Sequence, residues 1–211
     1  MERLWSETSL CDAIAGRRSI RRYRADEVPA IVLQRLLQAA VKAPSAHNRR
    51  PWRFVVLQDG SIKLALADAM GRRLRQDRTS DGDDPESIEA DVARSRTRIG
   101  GAPVVVVVCL TMEEMDVYAD AARAHAEFLM AVQSTAMAAQ NLMLAAHSEG
   151  LGSCWMCAPL FCPEVVRTTL DLPQQWQPQA LVTMGFPASA GNRRPRKPLN
   201  DVVRQHHTEQ V

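Results

Sequence analysis

A layered α/β or α+β sandwich is the fold class this sequence predicts, on three features. Short apolar, strand-sized runs are interspersed with longer helical stretches. One of those runs holds five consecutive valines, Val104 to Val108, the signature of a strand buried on both faces. A helical stretch of about 30 residues, Val117 to Ser148, then runs without an internal proline or glycine.

In chain order, Leu10 to Gly16 reads as a short helix ending at a glycine. Pro29 opens a second, with Ile31, Leu33, Leu36, Leu37, Ala40 and Val41 at helical spacing up to Pro44. Arg53 to Leu57 is a strand closed by Asp59-Gly60, and Ile62 to Met70 returns to helical spacing. The charged stretch from Gly71 to Asp84, ending in Thr79-Ser80-Asp81-Gly82-Asp83-Asp84, reads as a mobile lid or a surface excursion. Glu86 to Arg98 reads as an exposed charged helix, and Pro103 to Leu110 as the valine strand. Val117 to Ser148, rich in alanine, suits a helix that crosses a core or builds a dimer interface. Gly150 and Gly152 stop it. Ser153 to Met156 follows as a strand, Pro163 to Leu170 as a helix and Ala180 to Phe186 as the last strand. The tail from Pro187 carries Arg193-Arg194-Pro195-Arg196-Lys197-Pro198 with little apolar content, as expected of a segment that packs on something else or stays disordered.

Composition narrows the function. The 211 residues fit one domain, 1–211, with 46% hydrophobic and 24% charged residues. A net charge of +2, from 26 basic and 24 acidic residues, argues against a general nucleic-acid binder and gives local arginine clusters more weight than the total. No apolar run approaches the ~20 residues of a membrane span. The N-terminus lacks a secretory apolar core, and five cysteines are an odd number, so reduced thiols and a cytoplasmic location are the expectation.

Two segments carry chemistry. Arg17-Arg18-Ser19-Ile20-Arg21-Arg22 has four arginines in six residues, which either lie in solvent or hold an anion through bidentate contacts. Pro44-Ser45-Ala46-His47-Asn48, followed by Arg49-Arg50-Pro51-Trp52, links helix to strand through residues that fix non-helical backbone. Amide, hydroxyl and backbone groups there can face a planar polar ligand. Asn48 offers donor and acceptor together, or else caps the loop, while Trp52 reads as core. Cys154-x-x-Cys157 with Cys162 lacks a fourth metal ligand at suitable spacing and reads as small buried packing. His125 and Glu127 lack the spacing of a zinc protease, and His125 reads as an interface or core contact. There is no glycine-rich dinucleotide fingerprint, so any nicotinamide visits transiently.

These motifs, in this order, resemble the flavin-dependent nitroreductase family: Arg-Arg-Ser-x-Arg, then Ala-Pro-Ser-x-x-Asn-x-x-Pro-Trp-x-Phe, then Gly-Leu-Gly after a long helix, then a basic tail. The resemblance implies an α+β three-layer sandwich with a central mixed sheet and a long interface helix, in an intertwined homodimer whose C-terminal extension, 187–211, packs on the partner. It implies flavin mononucleotide (FMN) as cofactor, with Arg17, Ser19 and Arg21 at its phosphate and ribityl chain. Arg194 and Arg196 match the late pair of phosphate contacts. Arg18 flanks this set, although on an extended segment Arg18 and Arg22 point the other way, towards surface or interface ion pairs. Pro44, Ser45, Ala46 and Asn48 match the loop at the flavin ring. Ala158, Pro159 and Leu160 match the backbone beside the reactive nitrogen, where Pro159 has no N–H to donate. The activity implied is ping-pong hydride transfer, with NAD(P)H as a transient donor. Asp120-Ala121-Ala122-Arg123, Gly150-Leu151-Gly152-Ser153-Cys154-Trp155 and Leu170-Asp171-Leu172-Pro173 are further similar to the nitroreductase-like C-terminal domain of FbiB. That likeness suggests a deazaflavin, coenzyme F420 or its precursor, as substrate, with Arg49, Arg50 and the Arg72 to Arg78 lid meeting its anionic part. Alternatives are a nicotinamide-dependent nitro or quinone reductase and a non-catalytic flavin or F420 binder.

Overall fold

The computed structural model describes residues 8–192 and 195–205. Its centre is a four-stranded sheet in the order β1-β2-β4-β3, formed by β1 (Trp52–Leu57), β2 (Val104–Leu110), β3 (Gly152–Met156) and β4 (Gln177–Gly185). All three pairings between these strands are antiparallel. The parallel contribution is a single bridge, Ser19 to Ser153, on the outer edge of β3.

The valine run shows how the layers form. Val104, Val106 and Val108 point to one face, against Leu33 and Leu36 of α2 (Ala30–Ala40) and Ala139, Leu142 and Ala146 of α5 (Ala121–Ser148). Val105, Val107 and Cys109 point to the other, against Leu66 and Met70 of α3 (Gly60–Ser80), Ile99 of α4 (Pro85–Gly100) and Val166 of α6 (Pro163–Thr169). The two-residue period of a strand thus fills two cores, and β2 is buried at every position. This is the α+β sandwich that the sequence predicts.

Two boundaries differ from expectation. The stretch 71–84 is no lid: α3 continues through Ser80, because Gly71 is its last glycine and the arginines, leucine and glutamine that follow are good helix formers. A short turn reverses the chain into α4, whose N-cap Asp84 accepts from Ser87 N and whose first residue is proline. Arg75–Glu89, Arg78–Asp91 and Arg96–Asp68 then lace the hairpin together. The long helix starts at Ala121, four residues late, where the Asp120 side chain accepts from Arg123 N. At 28 residues it extends ~42 Å. Among the described residues no helix is long and apolar enough to cross a membrane.

Candidate functional site

Arg17 leaves α1 (Leu10–Gly16) as the chain turns extended. Residues 19–24 form no strand of their own, and neighbours strap them down. Ile20 N donates to Ser153 O at 2.9 Å on β3, and Arg24 N donates to Phe186 O at 2.8 Å. The Tyr23 hydroxyl lies 2.6 Å from Ile20 O, 2.9 Å from Thr183 O and 2.8 Å from Thr183 Oγ1. Gly152 lets the strap approach, since a Cβ there would come within 2.7 Å of the Ile20 side chain. The tail returns along the same segment: Pro187 bridges Tyr23, Ala188 N donates to Arg22 O at 3.0 Å, and Gly191 (φ 72°) passes over Ile20. The two ends of the polypeptide therefore converge.

Between them lies an open cleft of about 910 Å³, lined by Arg17, Arg18, Ser19, Arg21 and Arg22, by Arg94, Thr97 and Arg98 of α4, and by Asn192 and Arg196 of the tail. Arg94 is paired with Asp91. Among the described residues no carboxylate pairs with Arg17, Arg21, Arg98 or Arg196. Burial, then Arg196 and Arg18, press the Arg17 pKa below its ordinary value. Burial, then Arg21 and Arg94, do the same to Arg98. Guanidinium groups in a partly desolvated cleft, with no paired carboxylate among the described residues, carry the charge and the donors that would hold a multiply charged anion.

The cleft departs from expectation in two ways. Arg18 and Arg22 do not point away into ion pairs: both line the cleft, and Arg18 Nη1 donates to Ala15 O and Arg17 O at 2.6 and 2.7 Å, closing the end of α1. Arg94 and Arg98 were hidden in a helix that reads as merely exposed and charged. Their spacing of four, with Thr97 between, places them on one face and was the available signal. Arg194 lies outside the described residues.

Cys154 lies close to the arginines, and its thiol donates to Trp155 O at 3.5 Å. Burial raises its thiol pKa more than Arg21, Arg98 and Arg17 pull it down. Cys157 is exposed and accepts from Trp155 Nε1 at 2.9 Å, and all five thiols are free. Small apolar packing therefore describes Cys154 and Cys162, which are buried, and not Cys157. Among the described residues no group of three or more His, Cys, Asp or Glu is placed to hold a metal.

The second motif lies elsewhere on the chain. Pro44, Ser45, Ala46 and Asn48 line no part of the arginine cleft and pack against α5, where Ala46 N donates to Ser134 Oγ at 3.2 Å. Trp52 is buried with Ala43 and Ala138, as expected of a core residue. Ala158, Pro159 and Leu160 form a single 3₁₀ turn after β3, also outside the cleft lining. Leu160 N donates to Cys157 O at 3.0 Å, which leaves Ala158 N–H without an acceptor among the described residues. Arg49 is paired with Asp116, and His125 is exposed.

The α+β sandwich thus gathers arginines from the segment after α1, from α4 and from the tail around one cleft. The chain belongs to the nitroreductase family, whose model matches residues 14–186. It is 33% identical to an NADH dehydrogenase of Thermus thermophilus over 90% of this chain and 93% of that one. Among solved structures, a Desulfovibrio desulfuricans protein assigned as a nitroreductase, in complex with FMN, is 26% identical with a TM-score of 0.71, covering 96% and 99% of the two chains. A BluB-like flavoprotein of Clostridium difficile shares the fold at 21% identity and a TM-score of 0.76, covering 95% and 100%.

Proposed function

We propose that this protein is a homodimeric, FMN-dependent oxidoreductase that takes reducing equivalents from NAD(P)H. The carrying observation is the convergence on one cleft of Arg17, Arg21, Arg98 and Arg196, which pair with no carboxylate among the described residues. A flavin phosphate brings up to two negative charges and three acceptor oxygens, which suits this donor set. The FMN complex of the Desulfovibrio relative and the NADH dehydrogenase of Thermus support the cofactor and the donor.

In this reading Arg17, Ser19, Arg21 and Arg196 hold the phosphate and ribityl chain, with Arg18 bracing Arg17 and Arg194 completing the tail's contribution. Arg98 places a cation beside the flavin, where charge tunes its electronics. When bound, the flavin supplies hydride acceptance and donation. The protein's share is to bind, orient and polarise. Ala158, whose N–H has no acceptor among the described residues, offers it at the ring edge. The Pro44 to Asn48 loop meets the ring from the partner subunit, which explains why it is remote from the cleft in a single chain. Exposed Leu10, Ile14, Leu129 and Met137, with Leu199 and Val202 of the tail, give the apolar surface for that partner.

Absorption spectroscopy with FMN titration, then NADH and NADPH oxidation with a nitroaromatic or quinone acceptor, tests the proposal. Saturable binding near one flavin per subunit with turnover supports it, and a protein that binds no FMN sinks it. Binding without turnover would identify a carrier. A deazaflavin substrate is the second reading, carried by the resemblance alone. The groups it needs are largely engaged, Arg49 by Asp116 and Arg73, Arg75 and Arg78 by carboxylates of the α3–α4 hairpin. Titration with an F420-type deazaflavin decides it.

A further inference from the structure

The loop before β1 follows a costly path. His47 (φ 48°), Asn48 (φ 56°) and Arg50 (φ 51°) all occupy the left-handed region, which is uncommon for any one non-glycine residue. Three such residues within four positions persist only where the surroundings over-determine them, and such sites cluster at ligand clamps.

The loop's own bonds, Asn48 N to Ser45 O and Arg50 N to Ser45 Oγ, both at 3.0 Å, are joined by restraints from the turn after β2. Thr111 N donates to Pro51 O at 2.9 Å, Arg53 pairs with Glu114, and Arg49 pairs with Asp116. That turn is anchored from α5: Glu127, 1% exposed, accepts from Asp116 N at 3.0 Å. Two helical turns further along the same face, Ser134 accepts from Ala46 N. Among the described residues Glu127 has no cationic partner, and Leu110, Met115 and Ala131 form an apolar cluster between the 111–116 turn and α5. A buried carboxylate is an expensive way to hold a turn, and an apolar residue would pack there at less cost. What the carboxylate adds is a single permitted position for the Asp116 backbone.

We infer that Glu127 is a positioning residue: it fixes the 111–116 turn and, through Asp116 and Arg49, holds the Asn48 loop in its left-handed shape for the flavin ring. The inference rests on the flavin reading above. It makes Asp116 the coupling element, half-exposed and reachable without disturbing the core.

The test compares wild type with Asp116→Ala, Glu127→Gln and Glu127→Ala by FMN titration and by the visible spectrum of the bound flavin. Asp116→Ala should weaken FMN binding about two- to five-fold, the scale of an exposed ion pair acting on the binding-competent population, and should shift the bound-flavin bands. Glu127→Gln retains an oxygen for Asp116 N and should stay close to wild type, whereas Glu127→Ala should lose at least as much as Asp116→Ala. If Glu127→Ala does not fold, Asp116→Ala decides alone. Wild-type affinity and spectrum in the alanine variants would overturn the inference and leave the flavin reading intact. A wild type that binds no FMN would overturn both.

Discussion

Replacing Arg17 with alanine separates ligand binding from stability, because the structure assigns the two effects opposite signs. With the cleft empty, Arg17 is a liability: burial and the nearby Arg196 and Arg18 guanidiniums disfavour its charge, and no carboxylate among the described residues compensates. Its removal should leave the melting temperature unchanged or slightly raised. With FMN present the same charge meets a phosphate. Hydrogen bonds to charged groups contribute about 1.5–3 kcal/mol, and Arg17→Ala leaves Arg21 and Arg196 to hold the phosphate, so the lower half of that range applies. This corresponds to roughly 10- to 40-fold weaker FMN binding at 1.4 kcal/mol per decade. Riboflavin lacks the phosphate and should bind both proteins alike. The assay is a fluorescence titration with FMN and riboflavin at fixed ionic strength, beside thermal unfolding without ligand. Equal losses for the two flavins, or an apoprotein that melts several degrees lower, would refute a phosphate role and make Arg17 a structural residue.

Tyr23→Phe removes the hydroxyl shared by Ile20 O and Thr183; it should cost about 1–3 kcal/mol in urea unfolding and weaken FMN binding by loosening the 19–24 strap. Unchanged stability would show the strap to be redundant. Arg98→Ala should lower the midpoint potential of bound flavin, because a cation beside the ring favours the electron-rich form; an unaltered potential with intact binding would place Arg98 away from the ring. His147 is held below the ordinary histidine value by burial, then by Arg17 and Arg18. A lowered folded pKa means the unfolded chain binds the extra proton first, so stability should fall as pH drops below about 6.5 towards the folded value and level off beneath it. His147→Asn should flatten the apoprotein's melting temperature over that window, and a slope equal to wild type would exclude His147 as its source.

The layered fold was legible because burial on both faces imposes an apolar run, and β2 is such a run. The arginines at 17–21 and Arg196 were legible as well, since charge so dense asks for an explanation. Arg94 and Arg98 were not, because α4 meets the cleft with one side and its own core with Ile88, Val92 and Ile99. On such a helix a functional arginine and a solvated one look alike until a neighbour is placed beside them. The lid failed for a related reason: Arg72 to Arg78 is highly charged, yet its charges pair with α4 and so support the helix that polarity alone would argue against. The left-handed path at His47, Asn48 and Arg50 was also hidden, since none of the three is glycine and part of the restraint comes from Asp116, 67 positions beyond Arg49.

Like charges do not gather unaided, so something other than the arginines must hold the cleft together. The backbone does this work. Segment 19–24 is tied to β3 by Ile20 N, to the end of β4 by Arg24 N and to Thr183 by a buried tyrosine hydroxyl. The tail is tied to that segment in turn by Ala188 N. Each tie belongs to the main chain or to an uncharged group, and so survives whether or not an anion is present. The guanidinium groups are thereby held in place before the ligand arrives, and their mutual repulsion is a cost that an anion removes on binding. In the proposed flavin site, preorganisation of this kind would convert repulsion within the empty cleft into affinity and selectivity for a phosphate-bearing ligand.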